Sequence, residues 1–209
     1  SDDACTIDSI SGGSLTWTSQ DSINVSGNNC SGRLWTAEVD ADKSMTVTVN
    51  FTPSVNNEFT GTTIHQYSNA DTVSAHVAEA ATETPSMAIT TAGANSAISY
   101  FAFDWSAIDG ASRTWRTINS ITPTANNGLE NQYFRDATQW TVYCGIWDDA
   151  GTAGSKTTGI SAPTGESITH LAVEVKVAVT TQNINVNQAT ETDTAQAISI
   201  NVTTAVGQA

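Results

Sequence analysis

The sequence predicts an all-β protein: an antiparallel β-sandwich of jelly-roll type with an extended C-terminal β-repeat arm. Three observations predict it. Hydrophobicity alternates with a period of two along most of the chain. Clusters of Gly, Asn and Asp punctuate it at short intervals. No segment carries a convincing 3.6-residue period.

Taken in order, residues 14–18, 22–26 and 33–39 are short candidate strands, separated by Gly12-Gly13 and Gly27-Asn28-Asn29. Met45, Val47, Val49 and Phe51 line one face of the next strand, with Thr46, Thr48 and Asn50 on the other. Asn56-Asn57 marks a turn, and residues 62–67, 72–77, 86–90 and 97–103 continue the series. The Ala-rich stretch 73–82 has the composition for one short helix as an alternative. Asp109-Gly110 and Asn126-Asn127-Gly128 are further turns. Trp140, Val142, Cys144 and Ile146 then alternate with Thr141, Tyr143, Gly145 and Trp147. After the turn region of Gly151 and Gly154, Leu171, Val173, Val175, Val177 and Val179 alternate with Ala172, Glu174, Lys176 and Ala178. Such alternation reads as strands with one face on a core. Val47, Val49, Val142, Ile146, Val173, Val175 and Val177 are accordingly expected in one core.

The 209 residues suffice for one large all-β domain with an appendage. The 21 acids against 7 bases give a net charge of −14. So few scattered cations cannot neutralise a row of phosphates, which argues against a nucleic-acid partner. Binding to an anionic membrane is disfavoured for the same reason. No apolar run approaches the roughly 18 residues that suggest a spanning helix, so membrane insertion is not expected.

Little in the chain looks catalytic. Of the three cysteines, Cys5, Cys30 and Cys144, at least one must be unpaired within the chain. Cys5 and Cys30 are able to pair if their strands are neighbours; the simpler expectation is three reduced thiols. No C-x-x-C is present. His65, His76 and His170 belong to different candidate strands without metal-motif spacing and read as ordinary strand histidines. Asp148-Asp149-Ala150-Gly151 lacks the D-x-D-x-D-G order of a calcium loop and reads as a solvated acidic turn. Asp104 and Asp109 flank Trp105, a pattern compatible with a glycosidase carboxylate pair, but nothing else supports that chemistry. There is no G-x-S-x-G elbow, P-loop or dinucleotide fingerprint. The expectation is a non-enzymatic protein with no metal and no cofactor.

Among the six tryptophans, Trp35 and Trp140 lie on alternating apolar faces and are expected in the core. Trp105 and Trp115 stand among polar neighbours, the latter in Arg113-Thr114-Trp115-Arg116. An exposed Trp beside Arg stacks on a sugar ring while the cation takes its hydroxyls. Trp105, Trp115, Arg113 and Arg116 are therefore candidate carbohydrate contacts. Packing at a sheet edge or a subunit contact is the alternative for each Trp.

Composition shifts near Val179, which separates a body of residues 1–179 from a segment of residues 180–209. That segment has no aromatic and no base. Within it Val186-Asn187-Gln188-Ala189 recurs as Val206-Gly207-Gln208-Ala209. The partial second copy either continues in a longer chain or serves as a cap. Ile184, Val186, Ile198, Ile200, Val202 and Val206 form short apolar patches spaced by two. They are the candidate assembly contacts of an arm that pairs with another chain.

The run Val186-Asn187-Gln188-Ala189-Thr190-Glu191-Thr192-Asp193-Thr194-Ala195-Gln196-Ala197-Ile198 resembles a repeat close to "VGQATETDTAQAI" in structural proteins of tailed bacteriophages and prophages. It departs at Asn187, where the repeat has Gly. More loosely, the body resembles β-sandwich modules of phage and bacterial surface proteins. That likeness rests on Gly32-Arg33-Leu34-Trp35-Thr36-Ala37, Thr46-Val47-Thr48-Val49 and Leu171-Ala172-Val173-Glu174-Val175-Lys176. The resemblance implies a structural protein on the virion surface: a capsid decoration protein, head fibre or tail appendage, attached through its C-terminal arm. Its implied partners are other virion proteins and copies of itself, with a host surface glycan as a further candidate. The alternatives are a carbohydrate-binding or host-adhesion module, and a secreted bacterial surface protein.

Overall fold

A computed structural model of the chain describes residues 6–25, 30–41, 44–52, 63–82, 86–104, 114–123, 131–136, 140–162, 164–165, 167–178, 180–181 and 203–204. Among them there is no helix, and every strand pairing is antiparallel. The chain is all-β and divides into several sheets.

β1 (Thr6–Gly12) pairs with β4 (Val47–Thr52), and β2 (Thr18–Val25) pairs with β3 (Cys30–Thr36). A five-stranded sheet is built from β5 (Ala70–Thr82), β7 (Ala97–Asp104), β9 (Asn131–Asp136), β10 (Trp140–Trp147) and β12 (Ser167–Val177), in the order β5-β12-β7-β10-β9. A three-stranded sheet has the order β6-β11-β8, from β6 (Ser86–Thr91), β8 (Thr114–Trp115) and β11 (Gly154–Ala162). Finally β13 (Thr180–Thr181) pairs with β14 (Thr203–Thr204), which returns Thr204 to the side of Thr180.

Two hydrophobic clusters flank the five-stranded sheet. The larger joins Ile98, Tyr100, Ala102, Tyr143, Trp147, Ile168 and Ala172 of that sheet to Met87, Ile89, Trp115 and Ile160 of the three-stranded one. Its aromatic rings meet edge to face: Tyr100 lies 6.2 Å from both Trp115 and Trp147, and Trp115 lies 6.0 Å from Trp147. This arrangement sets the positive ring edge against a negative ring face. The smaller cluster places Leu34 of β3 and Ile23 of β2 over Leu171, Val173, Val73 and Phe101. Gly32 brings β3 close enough for this: a Cβ there would stand 2.5 Å from Leu171 Cδ1.

Several expectations are thereby corrected. The core is divided, with Val173 in the smaller cluster. Val47 and Val49 are half-buried in the separate β1–β4 pair, and Val177 is half-buried as well. Ile146 and Val175 are buried as expected, while the Val142 side chain lies outside the described residues. On β12 the face expected to meet water is the one in the larger core: His170, Ala172 and Glu174 are all 0% exposed. The sheet is covered on both sides, so alternation there separates large from small residues, not dry from wet. The Ala-rich stretch lies in β5, a strand paired along its length with β12. Trp35 is half-buried; its neighbour Leu34 takes the apolar contact. Trp140 lies in β10, with its side chain outside the described residues. Residues 63–67 are not strand, and β2 starts only at Thr18. The arm residues Ile184, Val186, Ile198, Ile200, Val202 and Val206 lie outside the described residues.

Trp147, fully buried against Tyr100 and Trp115, is the test of this core. Trp147→Ala should cost about 3–5 kcal/mol, read as a large fall in the urea midpoint. A change under about 1 kcal/mol, typical of surface sites, would contradict the packing.

Candidate functional site

The candidate site is a polar groove beside β11. Its origin is a change of partner along that strand. β11 pairs with β6 as far as Gly159, opposite Ser86, and with β8 from Ile160, opposite Trp115. At the changeover Gly159 has φ +95°, a conformation that a side chain rarely adopts. Arg116 N–H donates to the Gly159 carbonyl at 3.0 Å, and Trp147 Nε1–H donates to the Arg116 carbonyl at 3.1 Å. The main chain of Arg116 is therefore fixed from both sides.

Beyond Arg116 the chain makes a tight reversal. Ile118 and Ile121 exchange two backbone hydrogen bonds of 3.0 and 2.8 Å. Asn119 and Ser120 between them have φ of 51° and 62°. Positive φ at both central residues is the signature of a type I′ turn, which favours Asn. Asn119 Nδ2 donates to Asp149 Oδ2 at 3.0 Å, and Gly151 N–H donates to Asp149 Oδ1 at 2.7 Å. The acidic turn at 148–149 thus anchors the reversal, and both Asp149 oxygens accept hydrogen bonds.

Between this reversal and β11 lies a groove of about 460 Å³. Trp115, Arg116, Thr117, Ile118 and Asn119 line one side; Ser155, Lys156, Thr157 and Ser161 line the other. Among the described residues its lining holds two cations, four hydroxyl side chains and one amide, and no carboxylate. Arg116 Nε is buried without a hydrogen-bond partner.

The expected carbohydrate contacts fare differently from one another. Trp115 borders the groove but is only 7% exposed, packed edge-on against Tyr100, Tyr143 and Trp147. It offers no open face for stacking, because the aromatic core has taken it; its polar sequence neighbours conceal this. Arg116 lines the groove as a contact must. Trp105 and Arg113 lie outside the described residues. Sequence reasoning missed Lys156, Ser155, Thr157 and Asn119. The available signal was one base inside a run of Gly, Ser and Thr that follows the turn region of Gly151 and Gly154, a run to which the sequence pattern assigns no element and which is β11.

Other polar groups are engaged within the fold. Ser99, 1% exposed, is bonded both to Tyr67 and to His65 Nδ1 at 2.8 Å. This is a buried network under the segment 63–67, without the open access a nucleophile needs. His76 Nδ1 lies 2.9 Å from Asp21 Oδ2 and ties β5 to β2. Cys144 is a free, buried thiol, and burial pushes its pKa up. Cys5 and the Cys30 side chain lie outside the described residues, as do Asp109 and the Asp104 side chain. Among the described residues no three His, Cys, Asp or Glu are grouped to hold a metal ion, and no helix is long and apolar enough to cross a membrane.

Two titratable groups are fully buried on β12. Glu174 accepts hydrogen bonds from the N–H groups of Ala92 and Gly93 and from Ser96 Oγ, at 2.7–3.1 Å. Burial opposes its charge, but these bonds, with another from Ala75, prevail and hold its pKa below the usual value. His170 shares one hydrogen bond, 3.1 Å from Nδ1 to the Tyr100 hydroxyl, and its Nε2 is buried without one. Burial pushes its pKa down to about 4.

Comparison of the chain with protein-family models, curated proteins and solved structures found no match.

His170 predicts a pH dependence. Unfolding returns its pKa to about 6.5, so the unfolded chain takes up a proton that the folded one refuses. Its stabilising contribution is complete above about 6.5 and falls away as pH drops toward 4, by about 3 kcal/mol in all. Urea unfolding between pH 7 and 4 should follow this slope. His170→Gln, which keeps a hydrogen-bonding side chain but does not titrate, should remove most of it. An unchanged slope in that variant would contradict the assignment.

Proposed function

We propose that the chain is a non-enzymatic structural module on the surface of a tailed-phage particle. In this reading the body is a β-sandwich of jelly-roll type, the three-stranded sheet forming one layer and the five-stranded sheet the other. Residues 180–209 are its attachment arm. The observation that carries the reading is the repeat resemblance at residues 186–198, resumed at 206–209. An all-β body suits the role, since antiparallel sheets with free edges accept strands from neighbours. The net charge of −14 keeps an abundant surface protein soluble. With so few cations, attachment through the β-branched patches of the arm is better matched to the sequence than ionic docking. Particle symmetry would supply many copies.

A second reading, contact with a host surface glycan, is compatible with the first. The groove between residues 115–119 and β11 favours it: a concave site lined by hydroxyls and cations.

Mass spectrometry of purified particles tests the main reading. The chain should be present in a fixed ratio to the major structural protein. A chain lacking residues 180–209 should retain a cooperative melt yet be lost from particles. Recovery of the full-length chain only from the cell envelope or the culture medium would contradict the proposal, and so would normal incorporation of the truncated chain.

A further inference from the structure

We propose that the groove beside β11 is built for an acidic saccharide, a sugar ring bearing a carboxylate or sulfate. The inference rests on the reading of this groove as a glycan site and names the class of glycan.

The first argument is charge. Only 7 of 209 residues are Lys or Arg, yet Arg116 and Lys156 both line one groove, and among the described residues its lining holds no acid. Among the described residues neither has an ion-pair partner, whereas Lys176 approaches Asp71 at 3.6 Å. Asp149 is close by through Asn119, but its two oxygens are taken by Gly151 N–H and the Asn119 amide. In a chain of net charge −14, two cations with no ion-pair partner among the described residues are a local exception. Opposite charge within a concave surface concentrates an anion there.

The second argument is presentation. The Arg116 main chain is held by Gly159 and Trp147, so its side chain starts from a fixed point. Its buried Nε has no hydrogen-bond partner. A donor left unsatisfied is costly, and a bound carboxylate or sulfate would satisfy it. The planar guanidinium fork matches such oxygens, and Lys156, also in the lining, brings a second positive charge.

The third argument separates a sugar from a bare ion. Thr117, Ser155, Thr157 and Ser161 add hydroxyls that a small anion does not need and a ring with several hydroxyls does. The volume of about 460 Å³ lies within the usual range for small-molecule sites, about 300–1,000 Å³. Trp115 offers no open face, so a neutral sugar finds no stacking platform here. Binding must come from charge, which selects acidic rings over neutral ones.

The test is amide-resolved NMR titration of the full chain with glucuronate, glucose and inorganic sulfate. Glucuronate should give saturable shifts at Arg116, Thr117, Ser155 and Thr157. Glucose should give none, and sulfate should bind at least fivefold more weakly than glucuronate. Lys156→Gln and Arg116→Gln should each weaken glucuronate binding at least fivefold with the melt retained. Should Arg116→Gln fail to fold, Lys156→Gln decides alone, and unchanged glucuronate affinity in it overturns the proposal. Equal binding of glucose and glucuronate at these residues overturns the acidic specificity while leaving the glycan reading intact. Equal binding of sulfate and glucuronate overturns the saccharide. Absence of any shift overturns the proposal and the glycan reading together.

Discussion

The hydrogen bonds around the Glu174 carboxylate hold the centre of this protein together. A charged group with no exposed surface survives only if its oxygens are fully occupied. Here the donors are Ala92 N–H, Gly93 N–H and Ser96 Oγ, from the turn that joins β6 to β7, and the main chain of Ala75 on β5. The last depends on an irregularity in the sheet. Val173 faces His76 and Val175 faces Val73, so β5 carries one extra residue opposite Glu174. A bulge of this kind takes a main-chain group out of the ladder and makes the Ala75 N–H available to the carboxylate. Gly93 is required as well, since a Cβ there would stand 2.7 Å from Ser96 Oγ. One side chain thus joins the five-stranded sheet to the strand that begins the three-stranded one.

The remaining organisation follows. With β6 fixed over β12 and β7, the space between the sheets is filled by Tyr100, Trp115, Tyr143 and Trp147, and β12 contributes Ile168, His170, Ala172 and Glu174 to that face. Its larger residues, Leu171 and Val173, go to the opposite face beneath Leu34. The same frame sets the groove. Trp115 is locked into the core, and the next residue, Arg116, is carried to the surface with its main chain bound on both sides. A side chain placed one residue after a buried anchor starts from a fixed position.

The strands with strict alternation were legible in the sequence. Residues 45–51 and 140–147 correspond closely to β4 and β10, and residues 171–179 overlap β12, which starts earlier, at Ser167, and ends at Val177. What alternation did not reveal was which face of β12 is the main core, because period two reports a contrast in size and polarity, and a sheet covered on both sides buries both partners of that contrast. β11, written Gly-Ser-Lys-Thr-Thr-Gly-Ile-Ser-Ala, lacks clear alternation and carries two glycines, so the sequence pattern does not mark it as a strand. The groove was hidden for that reason, since half of its lining comes from β11. The sequence singles out Arg116, which lines the groove, but the burial of Trp115 depends on Tyr100 and Trp147 from other strands, which local sequence does not contain.

Amide hydrogen exchange at Ala92 and Gly93 tests the central role of Glu174 most directly. In the native chain at pH 7 both amides should exchange only in the global opening of the body, with the same protection as the amides of β12 and β7. In Glu174→Gln, which keeps the shape but removes the charge, protection at both positions should fall at least tenfold relative to those strands, about 1.4 kcal/mol or more. Protection at Ala92 and Gly93 that is low in the native chain, or unchanged in Glu174→Gln, would contradict the account.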